Sequence, residues 1–129
     1  MNKIESILLD VINNGNGFVF YKLVINDVCQ FDLFVEGLKR IPRDMKSLHS
    51  IFAYMDMFSK TIMLPCSKFR QIKNIERKDV FEFKKDNIRV YVILKDYDVY
   101  VITGGYKNKQ DRDIEEIARQ VKQFNIEKS

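Results

Sequence analysis

Between Asp79 and Thr103 three runs rich in β-branched and aromatic residues follow one another with only short polar breaks, and this succession constrains the chain more than any other feature. The runs are 79–85, 88–94 and 97–103, separated by Asp86-Asn87 and Lys95-Asp96. Such spacing predicts an antiparallel three-strand meander. A two-residue turn at Asp86-Asn87 sets Lys85 opposite Ile88, Lys84 opposite Arg89, Phe83 opposite Val90, Glu82 opposite Tyr91 and Phe81 opposite Val92. Phe81, Phe83, Ile88, Val90, Val92 and Leu94 then share an apolar face that helices can cover. Glu82, Lys84, Arg89 and Tyr91 share the other face, which this pattern leaves open. A two- or four-residue turn at the second hairpin gives one parity, adding Val99 and Val101 to the apolar face and Tyr100 and Ile102 to the open one.

The flanking sequence supplies helices. Ile4, Ile7, Leu8, Val11 and Ile12 fall at helical spacing, predicting an N-terminal helix that Asn13-Asn14-Gly15-Asn16-Gly17 ends. Residues 18–25 read as a strand. After Asn26-Asp27, taken as capping residues, Phe31, Phe34, Val35 and Leu38 repeat the helical period until Pro42. Asp44 opens a second helix with Leu48, Ile51, Phe52, Met55 and Phe58 on its buried stripe. Residues 61–78, with Pro65 and the basic series Lys68, Arg70 and Lys73, read as a short strand or ordered loop. Asp111 starts a last helix turning Ile114, Ile117, Ala118, Val121 and Phe124 inward, with Asp113, Glu115 and Glu116 near its positive end. The fold class is therefore α+β: a twisted antiparallel sheet carrying a helical hairpin and a C-terminal helix, with an extra helix over 1–16 and the core over 18–125.

The 129 residues, 46% of them apolar with only 5 Gly and 2 Pro, suit one packed domain and exclude collagen-like and disordered classes. Residues 1–16 have no basic leader and no long run is free of charge, so a cytoplasmic protein without membrane spans is expected. Cys29 and Cys66 lie far apart and His49 is the only histidine, which excludes a Cys/His zinc site and a disulfide scaffold. Phosphate-loop, dinucleotide and nucleophile-elbow motifs are absent, so neither a metal nor a cofactor is expected. Charge is uneven: residues 1–65 balance, and the whole excess of +4 falls in residues 66–129. A localised positive field attracts polyanions.

Antiparallel pairing brings the end of the third strand, Gly104-Gly105-Tyr106-Lys107-Asn108-Lys109, beside Arg89 and Lys84. The two glycines are expected to take positive φ and turn the chain across the open face. Several cations with tyrosines at one end of a sheet suit a phosphodiester with stacked bases. The plainer alternative makes Lys84 and Arg89 solvated strand residues, one of them neutralised by Glu82.

The succession Val80-Phe81-Glu82-Phe83-Lys84, Asn87-Ile88-Arg89-Val90-Tyr91 and Val101-Ile102-Thr103-Gly104-Gly105-Tyr106-Lys107, followed by a helix containing Ala118, resembles the RelE/HigB branch of the RelE/ParE toxin-antitoxin superfamily. The likeness covers about residues 18–125 and is strongest over 78–121. It implies a toxin that cuts mRNA on the ribosome by attack of the ribose 2′-hydroxyl, without metal, and that is held by a cognate antitoxin. By that resemblance Arg89 grips phosphoryl oxygens, Lys107 protonates the leaving group and Lys84 binds phosphate, as the catalytic set. Lys85, Tyr91, Tyr106 and Lys109 are assigned to RNA contact.

The chain also departs from that pattern. Some active relatives carry a tyrosine in or near the last helix as base, where Ile114 and Ile117 stand here; Lys85 or Tyr106 are the substitutes. His49 is expected on the surface of the second helix. Two other functions stay open: a noncatalytic module binding RNA or protein, and a gyrase-targeting ParE-like toxin, since a shared fold does not fix the target.

Overall fold

The computed structural model describes residues 2–12, 17–122 and 124. Its elements run β1 (Ile4–Leu8), β2 (Val19–Ile25), α1 (Gln30–Leu38), α2 (Pro42–Ser59), β3 (Phe69–Gln71), β4 (Val80–Lys85), β5 (Ile88–Lys95), β6 (Asp98–Tyr106), a 3-10 turn (Lys107–Lys109) and α3 (Gln110–Gln120). The six strands form one sheet in the order β1-β2-β6-β5-β4-β3. The molecule is α+β, but the sheet is mixed: β2 runs parallel to β6, and every other pair is antiparallel. A parallel pair needs a long crossover, and the two helices with the β3–β5 excursion supply it.

The β4–β5 register is the one the turn dictates, from Lys85 opposite Ile88 to Phe81 opposite Val92. Beyond it, Val92 faces Val101 while Tyr91 faces Thr103, so a bulge inserts one extra residue in β6. The short strand expected within 61–78 is β3, pairing Arg70 with Glu82.

The N-terminal helix is overturned: Ile4–Leu8 is a strand on the edge of β2. An isolated helix of this length is marginal in water, whereas β2 offers a ready row of backbone partners. The apolar residues that imitated a helical stripe divide between two tasks. Ile4 packs below the sheet, Leu9 and Ile12 enter the core above it, and Ile7, Leu8 and Val11 remain exposed. The expected stop at Asn13–Asn16, like Asn125 at the limit of the expected core, lies outside the described residues. Asn26-Asp27 is likewise a turn and not a cap: both residues have positive φ (52° and 67°), and Ile25 and Val28 exchange backbone hydrogen bonds of 2.8 and 3.1 Å across it. Asn and Asp tolerate that conformation better than other non-glycine residues.

Both faces of the sheet are covered. On one, α1 and α2 bury Phe31, Leu38, Leu48, Ile51 and Met55 against Phe20, Phe83, Val90, Val92, Val99 and Val101. Phe58 and Phe69 close this layer, with ring centroids 4.7 Å apart. On the other, Ile117, Val121 and Phe124 cover Leu23, Ile25, Ile93, Tyr100 and Ile102. No helix among the described residues is long and apolar enough to cross a membrane.

Candidate functional site

The β4–β5 turn is pinned from two sides. Asp86, at φ 52°, accepts a 2.7 Å hydrogen bond at Oδ2 from Ser47 Oγ of α2. Asn87 accepts one of 2.8 Å at its carbonyl from the Lys107 backbone N–H. Across the sheet Lys84, Arg89 and Gly105 form one row. Lys84, Lys107 and Arg89 therefore do belong to one end of the molecule, as the meander predicts. Lys107 and Lys109 are exposed and Lys84 and Lys85 half-buried. Lys85, however, shares the row and face of Ile88 and Tyr106, the opposite face from Lys84. Beyond the turn a shallow cavity of about 450 Å³ is lined by 107–112, including Lys107, Lys109 and Arg112.

The open face is not open here. Glu82 and Tyr91 are fully buried and Arg89 is 7% exposed, because the first turn of α3 lies across them. Gln110 Nε2 donates to Glu82 Oε1 at 2.6 Å, while Arg70 Nε and Nη2 grip Glu82 Oε2 at 2.9 and 2.6 Å. Arg89 Nε stands 3.6 Å from Glu82 Oε1, and Arg89 Nη1 donates to the carbonyls of Asp86 and Ile88, both at 2.9 Å. The guanidinium thus staples its own turn and balances a buried carboxylate instead of presenting a free fork to solvent. Glu82 neutralises Arg89, as the plainer alternative held, but inside the protein. Two buried polar atoms lack a hydrogen-bond partner among the described residues, Arg89 Nε and the Tyr91 hydroxyl. Burial, then the nearby Glu82 and Asp113 carboxylates, push the Tyr91 hydroxyl far above its ordinary value, so it is neutral at any physiological pH.

Tyr106 is separated from Tyr91 by the β6 bulge, which turns it to the α1/α2 face. There its hydroxyl donates to buried Asp44 Oδ2 at 3.0 Å and its ring packs edge-on against Phe34. Burial first, and the Asp44 carboxylate second, raise its pKa. Neither tyrosine is placed to stack an unpaired base at the surface.

Gly104 and Gly105 are extended, not left-handed, contrary to expectation. Their smallness serves close approach instead: a Cβ at Gly104 would overlap the Phe34 ring, and one at Gly105 would overlap the Asp113 carboxylate. Adjacent glycines thus let α1 and α3 approach the same strand from opposite faces. Asp113, held over Gly105, has its pKa raised by burial, against the opposing charges of Arg112 and Lys109.

The residues that sequence reasoning missed are Arg70, Gln110 and Asp113, which cover the buried polar cluster from the solvent side. Arg70 had a signal in its alternation with Lys68 and in the turn that sets β3 beside β4; Gln110 and Asp113 sit on a helix whose seating no local pattern fixes. His49 is exposed, as expected. Comparison with protein-family models, curated proteins and solved structures gives no match.

Proposed function

We propose that this chain is a RelE/HigB-like toxin, a ribosome-dependent endoribonuclease that binds mRNA at the basic turn end of its sheet. The observation that carries the reading is the 2.8 Å hydrogen bond from Lys107 N to Asn87 O, which fastens the first basic residue after the glycines beside the Lys84–Arg89 row. In this reading the 2′-hydroxyl gives up its proton to solvent water as its oxygen bonds to phosphorus, and the bond to the 5′-oxygen breaks, leaving a 2′,3′-cyclic phosphate. Lys84 offsets charge on the phosphoryl oxygens and Lys107 returns a proton to the leaving oxygen. Arg89, buried against Glu82, acts from behind as a positioning residue that sets the turn and Lys84. A cognate antitoxin would present acidic side chains to Lys107, Lys109 and Arg112.

Primer extension on translated mRNA after induced expression tests the reading: cleavage sites and growth arrest are expected, and Lys107→Ala should lower cutting by about 10²-fold, the scale for losing one such group. Arrest with intact transcripts, or no arrest, would exclude it. The second reading, a noncatalytic RNA-binding module, is favoured by one observation, the 8% exposure of the Arg89 side chain. RNA affinity would then fall with salt at a slope of about −0.7 per phosphate contacted, with no product at any time.

A further inference from the structure

At the edge of the sheet farthest from the candidate site, β1 leaves a row of backbone groups without a partner strand among the described residues. The phase of its ladder says which. Leu9 N donates to Phe20 O and Asn26 N donates to Lys3 O, both steps in register with Glu5 opposite Val24 and Ile7 opposite Lys22. In an antiparallel pair hydrogen-bonded and non-bonded positions alternate, so odd-numbered residues bond to β2. Ile4, Ser6 and Leu8 consequently aim their N–H and C=O groups outward.

This edge lacks the usual protection. Ile7 and Leu8 are each 51% exposed and Val11 is 50% exposed. β1 contains no proline, no lysine and no bulge, and Glu5 is its only charge. Natural sheets blunt their edges with such devices, and an exposed apolar edge without them pairs with another chain.

We infer that β1 pairs antiparallel with β1 of a second copy, about a two-fold axis at Ser6, joining two sheets into one. The sequence is self-complementary in that register. Ile4 meets Leu8 of the second copy, Ser6 meets Ser6, and each of these outward positions exchanges both backbone hydrogen bonds with its mate. Glu5 falls opposite Ile7 and Lys3 opposite Leu9, so no like charges face each other. Leu8, now half in water, gains an apolar cross-strand neighbour. A shift of two residues would leave an outward position unpaired and move Glu5 opposite Glu5 or set Ile7 opposite Ile7, losing either charge compatibility or ladder length.

Sedimentation equilibrium of the full chain tests the inference, with Ser6→Lys and Ser6→Pro beside the parent. The parent should show a concentration-dependent monomer–dimer equilibrium. Ser6→Lys sets two ammonium groups across the axis, and Ser6→Pro deletes the two hydrogen bonds donated there, which should weaken the dimer about thirtyfold. Should Ser6→Pro disturb the fold, circular dichroism of Ser6→Lys, altered only at an exposed side chain, keeps the comparison valid. Ser6→Cys in a Cys29→Ser, Cys66→Ser background should form an intermolecular disulfide on mild oxidation. A parent that stays monomeric at about 300 μM, where edge pairing of this extent is populated, overturns the proposal. So does a dimer that Ser6→Lys leaves unchanged, or one that Ser6→Cys fails to cross-link.

Discussion

The two faces of the sheet are built by different physics. The centre of the α1/α2 face is dry: Phe20, Phe83, Val90 and Val92 meet Phe31, Leu48, Ile51 and Met55, and the buried Asp44 carboxylate of α2 is taken up by the Tyr106 hydroxyl. The α3 face is divided. Half of it repeats the apolar plan with Ile102, Ile117 and Val121, while the half toward the β4–β5 turn buries Glu82, Arg89 and Tyr91 beneath the half-buried Gln110. Apolar surface needs only area to be stable, whereas buried charge needs a specific partner at each oxygen and nitrogen. The dry face should therefore tolerate change in proportion to volume, and the polar half should fail abruptly when one partner is removed.

The largest effect is expected at Glu82. Glu82→Ala leaves Arg89 buried without its counter-ion and Arg70 and Gln110 without their acceptor, and should cost about 3 kcal/mol in urea unfolding. Replacement of Arg89 and Glu82 together should cost less than the two single changes summed, because the double variant no longer buries a lone charge. Additive costs would mean that the cluster is not a coupled unit.

Adjacent glycines of β6 give an intermediate effect and compare the faces directly. Gly104→Ala drives a methyl group into the Phe34 ring on the packed side, which should cost about 2 kcal/mol because a ring held in a core cannot step aside. Gly105→Ala meets the end of the Asp113 side chain, which can swing away toward solvent, so the cost should stay below about 1 kcal/mol. Thermal unfolding of both variants decides it, and equal costs would erase the distinction between a rigid and a yielding face.

The same division explains what was legible in the sequence. The meander, its first register, the helical hairpin and the parity of Val99 and Val101 could be read because period-2 and period-3.6 patterns report burial of apolar side chains directly. Glu82, Arg89 and Tyr91 could not be told from solvated residues, since a buried ion pair and an exposed one have the same letters. Tyr106 was misassigned to the cationic cluster because a one-residue bulge leaves no mark in the letters between Val101 and Thr103, yet reverses every later side chain of β6. The N-terminal segment failed for another reason. Ile4, Ile7, Leu8, Val11 and Ile12 fit a helical stripe, but the vacant edge of β2 gives the backbone partners that a lone short helix lacks.

The smallest expected effect is the sharpest test of the polar half, because its sign depends on pH. Burial against Gly105 raises the Asp113 pKa above its ordinary 3.8, so between these two values the folded chain binds more protons than the unfolded one. Stability at this group is therefore lost as pH rises through that window, and the ionised form is the strained one. Asp113→Asn removes the strain but also removes a negative charge from the first turn of α3, where the helix dipole favours it by a few tenths of a kcal/mol. The net effect at pH 7 should be a small rise in Tm. Below the ordinary value of 3.8, where the carboxyl is protonated folded and unfolded alike, the gain should vanish. A variant that is less stable than the parent at pH 7, or a difference that does not change with pH, would show that the helix dipole outweighs burial and that the seat of α3 over Gly105 is as tolerant of charge as a solvated surface.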